Sequence, residues 1–144
     1  MGILIRPCRP AEAGTLLTFW YHADAGPSPT ETPEQVSEVI NDPAATVLVA
    51  LDGDLMVGSI IGAWDGWRGN IYRLAVLPSY RRRGIARALV AEVEQILADR
   101  GARRIAALVE HDHPWAVGFW DSLYVPDPHL IRYVKKVEPT RRDL

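Results

Sequence analysis

The chain has 144 residues, 48% of them hydrophobic and 24% charged, with a formal net charge of −2, a size that suits one domain with its own core and leaves little room for two. The near-neutral balance argues against general electrostatic capture of nucleic acid. A lone cysteine, Cys8, excludes an intrachain disulfide and a cysteine-built zinc site, and no apolar run reaches the roughly 18 residues of a membrane span.

Residues 3–7 (Ile-Leu-Ile-Arg-Pro) read as a first strand rather than a signal sequence, so a soluble cytoplasmic protein is expected. Pro10 opens a helical stretch to about His22, with Leu16, Leu17, Phe19 and Trp20 as core candidates. Gly26-Pro27-Ser28-Pro29 is a break. A second helix is signposted by Thr32 at the N-cap, Pro33 at the first helical position and Gln35 where a capping box places it. Val36, Val39 and Ile40 form its apolar stripe, and Asn41-Asp42-Pro43 stops it.

Thr46 to Leu51 is a β-rich run, Asp52-Gly53 a two-residue hairpin signal, and Leu55 to Ala63 the returning strand. Trp64-Asp65-Gly66-Trp67-Arg68-Gly69 reads as a turn leading to a strand over 70–77, ended by Pro78. These three strands should form an antiparallel meander. A long helix from Gly84 to about Arg100 follows, its buried face marked by Ile85, Leu89, Val93, Ile96 and Leu97 at helical spacing and its end by Gly101. Arg103 to Val109 reads as a strand, and a strand–helix–strand unit of this length implies a right-handed crossover with parallel pairing. Pro114 opens a helix to about Leu123, and 129–137 reads as a last strand. The expected architecture is one α/β (α+β) domain over 3–138 with a mixed, mostly antiparallel sheet, in the order β-α-α-β-β-β-α-β-α-β, followed by a fraying polar tail over 139–144.

The chemistry concentrates at Arg81-Arg82-Arg83-Gly84-Ile85-Ala86-Arg87, between the fourth strand and the long helix. The first N–H groups of a helix lack intrahelical partners, and the helix dipole adds about half a positive charge there. Small residues at Gly84 and Ala86 allow close approach to the backbone. Helix starts favour acidic residues, so consecutive arginines at this place are unfavourable unless an anion joins them. A phosphate or pyrophosphate is the expected ligand.

This element order, with Arg81-x-x-Gly84-x-Ala86 after Leu74-Ala75-Val76-x-Pro78, resembles the GNAT family of acetyl-coenzyme A-dependent N-acetyltransferases, whose motif is Gln/Arg-x-x-Gly-x-Gly/Ala. The similarity covers nearly the whole chain. It implies that backbone amides from Arg82 to Arg87 cradle the coenzyme A pyrophosphate and that Leu74, Ala75 and Val76 offer backbone groups to the pantetheine arm. It also implies fourth and fifth strands that splay apart around the thioester. The expected co-substrate is acetyl-CoA, with no metal, and the partner is a small-molecule or peptide amine. No nucleic acid or membrane partner is expected, and a homodimer is among the assemblies the resemblance allows.

Acyl transfer to an amine requires loss of an amine proton, a polarised thioester carbonyl and a protonated or stabilised leaving thiolate. The expected oxyanion donor is the backbone N–H of Ala75 or Val76, with direct transfer and no covalent enzyme intermediate. Many family members carry Asn-x-x-Ala-x-x-Phe-Tyr after the fifth strand; here His113 stands for the asparagine, Ala116 and Phe119 match, and Trp120 replaces the tyrosine that is the common acid. An indole N–H can donate a hydrogen bond to sulfur but cannot deliver a proton. Tyr124, at i+4, is the substitute acid candidate. His113 is a helix N-cap with contact to the cofactor or a titrating cleft group; Glu110 and Asp112 are base candidates. For the acceptor, Trp64, Asp65, Trp67 and Tyr72 are the expected binding residues, with Trp20, Tyr21, Asp24 and Glu31 as further aromatic and acidic candidates for a cationic amine. Two other classes stay open: a domain that binds acetyl-CoA with little catalysis, which Trp120 favours, and a non-enzymatic anion-binding module, which the net charge opposes.

Overall fold

In the computed structural model, which describes residues 2–25 and 31–138, the first 108 residues form one compact unit around a five-stranded sheet. Its strands are β1 (Leu4–Pro7), β2 (Ala45–Asp52), β3 (Leu55–Trp64), β4 (Gly69–Val76) and β5 (Ile105–Ala107), in the spatial order of the chain. All neighbours are antiparallel except β4 and β5, which run parallel. The helices of this unit are α1 (Ala13–His22), preceded by a 3-10 turn at Pro10–Glu12, then α2 (Pro33–Asn41) and α3 (Ile85–Asp99), the crossover between β4 and β5. Thr32 caps α2 as its sequence dictates, its hydroxyl accepting the Gln35 N–H at 3.2 Å. The expected Gly26–Pro29 break and the 139–144 tail lie outside the described residues.

β2 and β3 are buried on both faces, which explains their near-continuous apolar runs. One face carries α1 and α2, through Leu16, Phe19, Trp20 and Val36 against Val47, Val49 and Ile61. The other carries α3. Three glycines make room for it: a Cβ at Gly62 would lie 2.6 Å from Val93 Cγ1, one at Gly69 2.7 Å from Leu97 Cδ1, and one at Gly58 3.1 Å from Ile85 and Leu89. The helix ends as its sequence announces. Gly101 is left-handed at φ 110°, its N–H bonds Ala98 O, and the Ala102 N–H bonds Leu97 O, which together form a Schellman closure.

Two expectations are corrected. β5 spans three residues rather than 103–109. The expected strand over 129–137 is absent: those residues carry neither helix nor strand, and Leu130, Ile131, Tyr133, Val134 and Val137 are exposed. Apolar side chains at 130, 131, 133, 134 and 137 do not alternate, and a strand exists only where its backbone groups find a partner. The described order therefore closes on a helix, α4 (Pro114–Asp121), in the second unit, Val109–Leu144.

β1 is tied to the turn before α1 by a two-pronged ion pair. Arg6 Nη1 and Nη2 lie 2.8 Å from Glu12 Oε1 and Oε2, and the Arg9 N–H donates to Oε1 at 2.9 Å. These bonds hold the Glu12 carboxyl at about 2, below its usual 4.5, with the Arg6 guanidinium as the largest cause.

Gly62→Ala is expected to destabilise the fold by about 1–3 kcal/mol, because Val93 is β-branched, fully buried and cannot yield. Gly14→Ala is the control: its Cβ meets nothing within 4 Å and its helical site favours alanine, so denaturation midpoints should be equal or higher. Glu12→Gln should cost on the order of 1 kcal/mol near neutral pH. A depressed carboxyl stabilises above its unfolded pKa and loses that contribution as pH falls through the folded value. The gap between variant and parent should therefore shrink below the ordinary carboxylate range and close near pH 2 in pH-dependent urea unfolding.

Candidate active site

Along β4 the sheet changes character. β4 pairs with β5 at Gly69↔Ile105, Asn70↔Ala106 and Ile71↔Ala107, followed by a last bond from the Leu108 N–H to Ile71 O at 3.3 Å. Past Ile71 no β5 residue is paired to β4. On the other edge the β3 register slips between Ser59↔Ala75 and Ile61↔Tyr72, leaving Arg73 and Leu74 opposite Ile60. This is a β-bulge, and Arg73 is left-handed at φ 52°. Its carbonyl accepts from Ser59 Oγ at 3.0 Å, and Ser59 Oγ accepts from Trp20 Nε1 at 2.9 Å. The Arg73 guanidinium lies 5.1 Å from the Trp20 ring centroid and pairs with Glu31, Nε to Oε1 at 2.6 Å. Beyond the bulge the Leu77 N–H donates to Val57 O at 2.9 Å. By alternation the Ala75 amide also faces β3, and that of Val76 faces the edge β5 has left. Of the two expected oxyanion donors, Ala75 is thereby turned away.

β4 leads into a 3-10 turn at Pro78–Tyr80 and then the arginine loop. The four arginines differ in role. Arg81 turns inward: Nε donates to Val76 O at 3.1 Å and Nη2 to Ala23 O at 3.2 Å, and burial lowers its pKa. It braces the loop against the end of α1. Arg82, Arg83 and Arg87 are exposed, and Arg83 lies 4.7 Å from the Tyr80 ring centroid. The Tyr80 hydroxyl donates to Asp52 Oδ2 at 2.6 Å, which raises its pKa and ties the loop to the β2–β3 hairpin. Arg82 at φ 63° and Gly84 at φ 83° are both left-handed. A Cβ at Gly84 would meet nothing within 4 Å, so the space before the helix is open. α3 starts without a side-chain cap and without an acid in its first turn, and its Ala88 N–H bonds the Gly84 carbonyl. Ile85 and Ala86 bury their side chains, leaving their backbone for the loop.

The tryptophan turn lies elsewhere. Residues 64–69 join β3 to the start of β4, roughly 20–25 Å along the strand from the arginine loop. Asp65 Oδ1 accepts the Trp67 and Arg68 N–H groups at 2.9 and 2.7 Å, which lowers its pKa, so this carboxylate builds the turn. Trp67 is exposed under the Arg68 guanidinium at 3.7 Å, and Trp64 reaches toward Gly101. Of the four expected acceptor residues, only Tyr72 adjoins the bulge. Trp20 is core, Tyr21 is exposed, and Asp24 is left-handed at φ 58°. Cys8 is buried, and burial pushes its thiol up to about 11, which suits no nucleophile.

In the second unit, α4 carries an aromatic ladder. Trp115 stacks on Phe119 (5.9 Å between centroids), Phe119 meets Trp120 edge-on (5.3 Å), and Trp120 meets Tyr124 (4.8 Å). His113 is the N-cap: its Nδ1 accepts the Ala116 N–H at 3.3 Å, which requires a ring unprotonated at that nitrogen. Glu110 is exposed, and its carbonyl accepts the His113 N–H at 3.2 Å. Asp112 is exposed. Among the described residues no cluster of three metal-ligating side chains occurs, and no helix is long and apolar enough to cross a membrane.

Ser59 and Arg73 were not among the expected site residues, and Trp20 was expected only as core or as an acceptor-side aromatic. The one sequence signal of the Trp20–Ser59–Arg73 chain is Ser59, a lone polar residue in the apolar run from Met56 to Ala63. The Tyr80–Asp52 bond gave no sequence signal.

The model of the acetyltransferase (GNAT) family matches residues 15–123. An acetyltransferase of Pectobacterium atrosepticum is 34% identical over 121 residues, covering 83% of this chain and 84% of that protein. One of Photorhabdus laumondii is 34% identical over 127 residues, covering 87% of each. By fold, the chain is similar to aminoglycoside N-acetyltransferase AAC(6')-Iy in complex with a bisubstrate analogue (TM-score 0.77, 16% identity, 95% and 100% covered). It is equally similar to a ribosomal-protein-alanine N-acetyltransferase of Brucella melitensis (TM-score 0.77, 15% identity, 95% and 100% covered). The chain belongs to the GNAT acetyltransferase family and is an acyltransferase.

Proposed function

We propose that the protein moves the acetyl group of acetyl-CoA directly to a primary amine of a small molecule or peptide. The observation that carries this reading is the course of β4: the strand loses β5 from its outer edge after Ile71, bulges against β3 at Arg73, and runs into an uncapped, arginine-rich helix start. A pantetheine arm pairs with a strand edge much as a peptide does, here along Leu74–Val76. The diphosphate docks on amides of residues 82–87, with Arg82, Arg83 and Arg87 as outer charges and Gly84, Ile85 and Ala86 supplying backbone. Arg81 serves by bracing that loop.

In the reaction the amine attacks the thioester carbonyl, the oxygen gains charge against a β4 main-chain N–H, and the C–S bond breaks to release coenzyme A as a thiol. Tyr124 is the proposed acid toward sulfur, since the Trp120 indole can donate a hydrogen bond but no proton. Glu110 is the proposed base. His113, Ala116, Phe119 and Trp120 are proposed on the cofactor side by their match to the family pattern. Tyr72, beside the bulge, is the proposed acceptor contact. Fold neighbours named for aminoglycosides and for ribosomal-protein alanine leave the acceptor at the level of a primary amine.

Thiol release from acetyl-CoA with a panel of amino sugars, polyamines and peptides ending in alanine tests the reaction; no release above background with any of them would refute it. Gly84→Glu should abolish coenzyme A binding by calorimetry in a folded protein, because the carboxylate enters the open space before the helix and repels the diphosphate. Tyr124→Phe should lower kcat roughly 10- to 100-fold while acetyl-CoA affinity is unchanged.

A further inference from the structure

Arg73 holds a left-handed backbone conformation that is unfavourable for a side chain other than glycine. Something must hold it there. The peptide between Arg73 and Leu74 is fixed from its carbonyl end by Ser59, and the direction of each bond in the chain is forced. An indole nitrogen only donates, so Ser59 Oγ must accept from Trp20. The single hydroxyl proton of Ser59 then goes to the Arg73 carbonyl, 3.0 Å away. Ser59 is 0% exposed and Trp20 3%, so no water substitutes for either. Among the described residues no buried side-chain polar atom lacks a partner, and this pair accounts for the one fully buried hydroxyl.

In a trans peptide the carbonyl and the following N–H point in opposite directions. A carbonyl pinned inward to Ser59, on the α1 face, therefore aims the Leu74 N–H outward. Leu74 is the first residue past the bulge, two positions before Val76 and just beyond the last β4–β5 pair. The other end of the residue is held as well, because the Arg73 side chain lies over Trp20 and is paired with Glu31.

We propose that Ser59, backed by Trp20, is a positioning residue that sets the Arg73–Leu74 peptide plane and so directs the Leu74 N–H at the carbonyl oxygen of the acetyl thioester. The inference rests on the acetyl-CoA reading above. It assigns neither residue a contact with the substrate; both act through the bulge. Trp20, which packs as an ordinary core residue, gains a reason to be tryptophan: phenylalanine would fill much of the space but leave the serine oxygen without its donor.

Isotope-edited infrared spectroscopy of acetyl-CoA carrying carbon-13 at the acetyl carbonyl reads this directly and requires no acceptor. The parent protein should lower the carbonyl stretch relative to free acetyl-CoA. Ser59→Ala should lose most of that shift while its calorimetric affinity for acetyl-CoA changes less than about tenfold, since the diphosphate loop is untouched. Ser59→Thr, which keeps the hydroxyl, should restore the shift. Trp20→Phe should give an intermediate value, and it serves if Ser59→Ala does not fold. A wild-type carbonyl frequency in Ser59→Ala or, should that fail to fold, in Trp20→Phe would overturn the proposal. Absence of acetyl-CoA binding to the parent protein would instead overturn the underlying reading, and the proposal with it.

Discussion

A strand inside a sheet is bonded on both edges, and β4 has to give up one of them without losing its place. Every other part of the first unit bears on that constraint. β3 holds the inner edge of β4 from Trp64↔Gly69 to Gly58↔Val76, the slip at Arg73 turns the peptide planes beyond it, and β5 stays paired only at the start. An exposed backbone edge is ordinarily a liability in a sheet. Here it is confined to a few residues, flanked by a bulge on one side and a proline-started turn on the other.

The energetic load of that opening is carried by packing on the opposite faces. α3 lies close on the sheet because Gly58, Gly62 and Gly69 lack side chains where it crosses, and it is long enough to span from the arginine loop to the tryptophan turn. α1 and α2 close the other face through the cluster around Leu16, Phe19 and Trp20. The arginine loop is then fastened at two points that do not involve its ligand face, Arg81 to the α1 terminus and to β4, and Tyr80 to the β2–β3 hairpin. Left-handed Arg82 and Gly84 are tolerable in a loop so held.

Much of this was legible beforehand because the signals are local. Pro33 after Thr32, Gly101 after an apolar stripe, and an arginine run at a helix start each state their structure within a few residues. The bulge was not legible. Arg73 sits in a run, Ile71 to Leu77, that reads as plain strand, and its left-handed turn is imposed by Ser59 and Trp20, 14 and 53 residues away. The bracing by Arg81 was hidden for a related reason: its charge suggested a ligand, and nothing local announces its bond to the Ala23 carbonyl, 58 residues away. Asp65 reads as an amine-binding carboxylate or as a turn former, and the positions of the Trp67 and Arg68 amides, which the sequence does not give, show the turn role. The run at 129–137 has strand-like composition but no alternation, and composition alone does not supply a pairing edge.

The burial of Cys8 has a practical corollary. It is the chain's one sulfhydryl, shut away at 7% exposure and shifted to about 11. Colorimetric disulfide reagents that follow liberated coenzyme A should therefore meet almost no reactive sulfur on the protein itself, so turnover can be monitored continuously against a flat baseline and without masking the enzyme by alkylation.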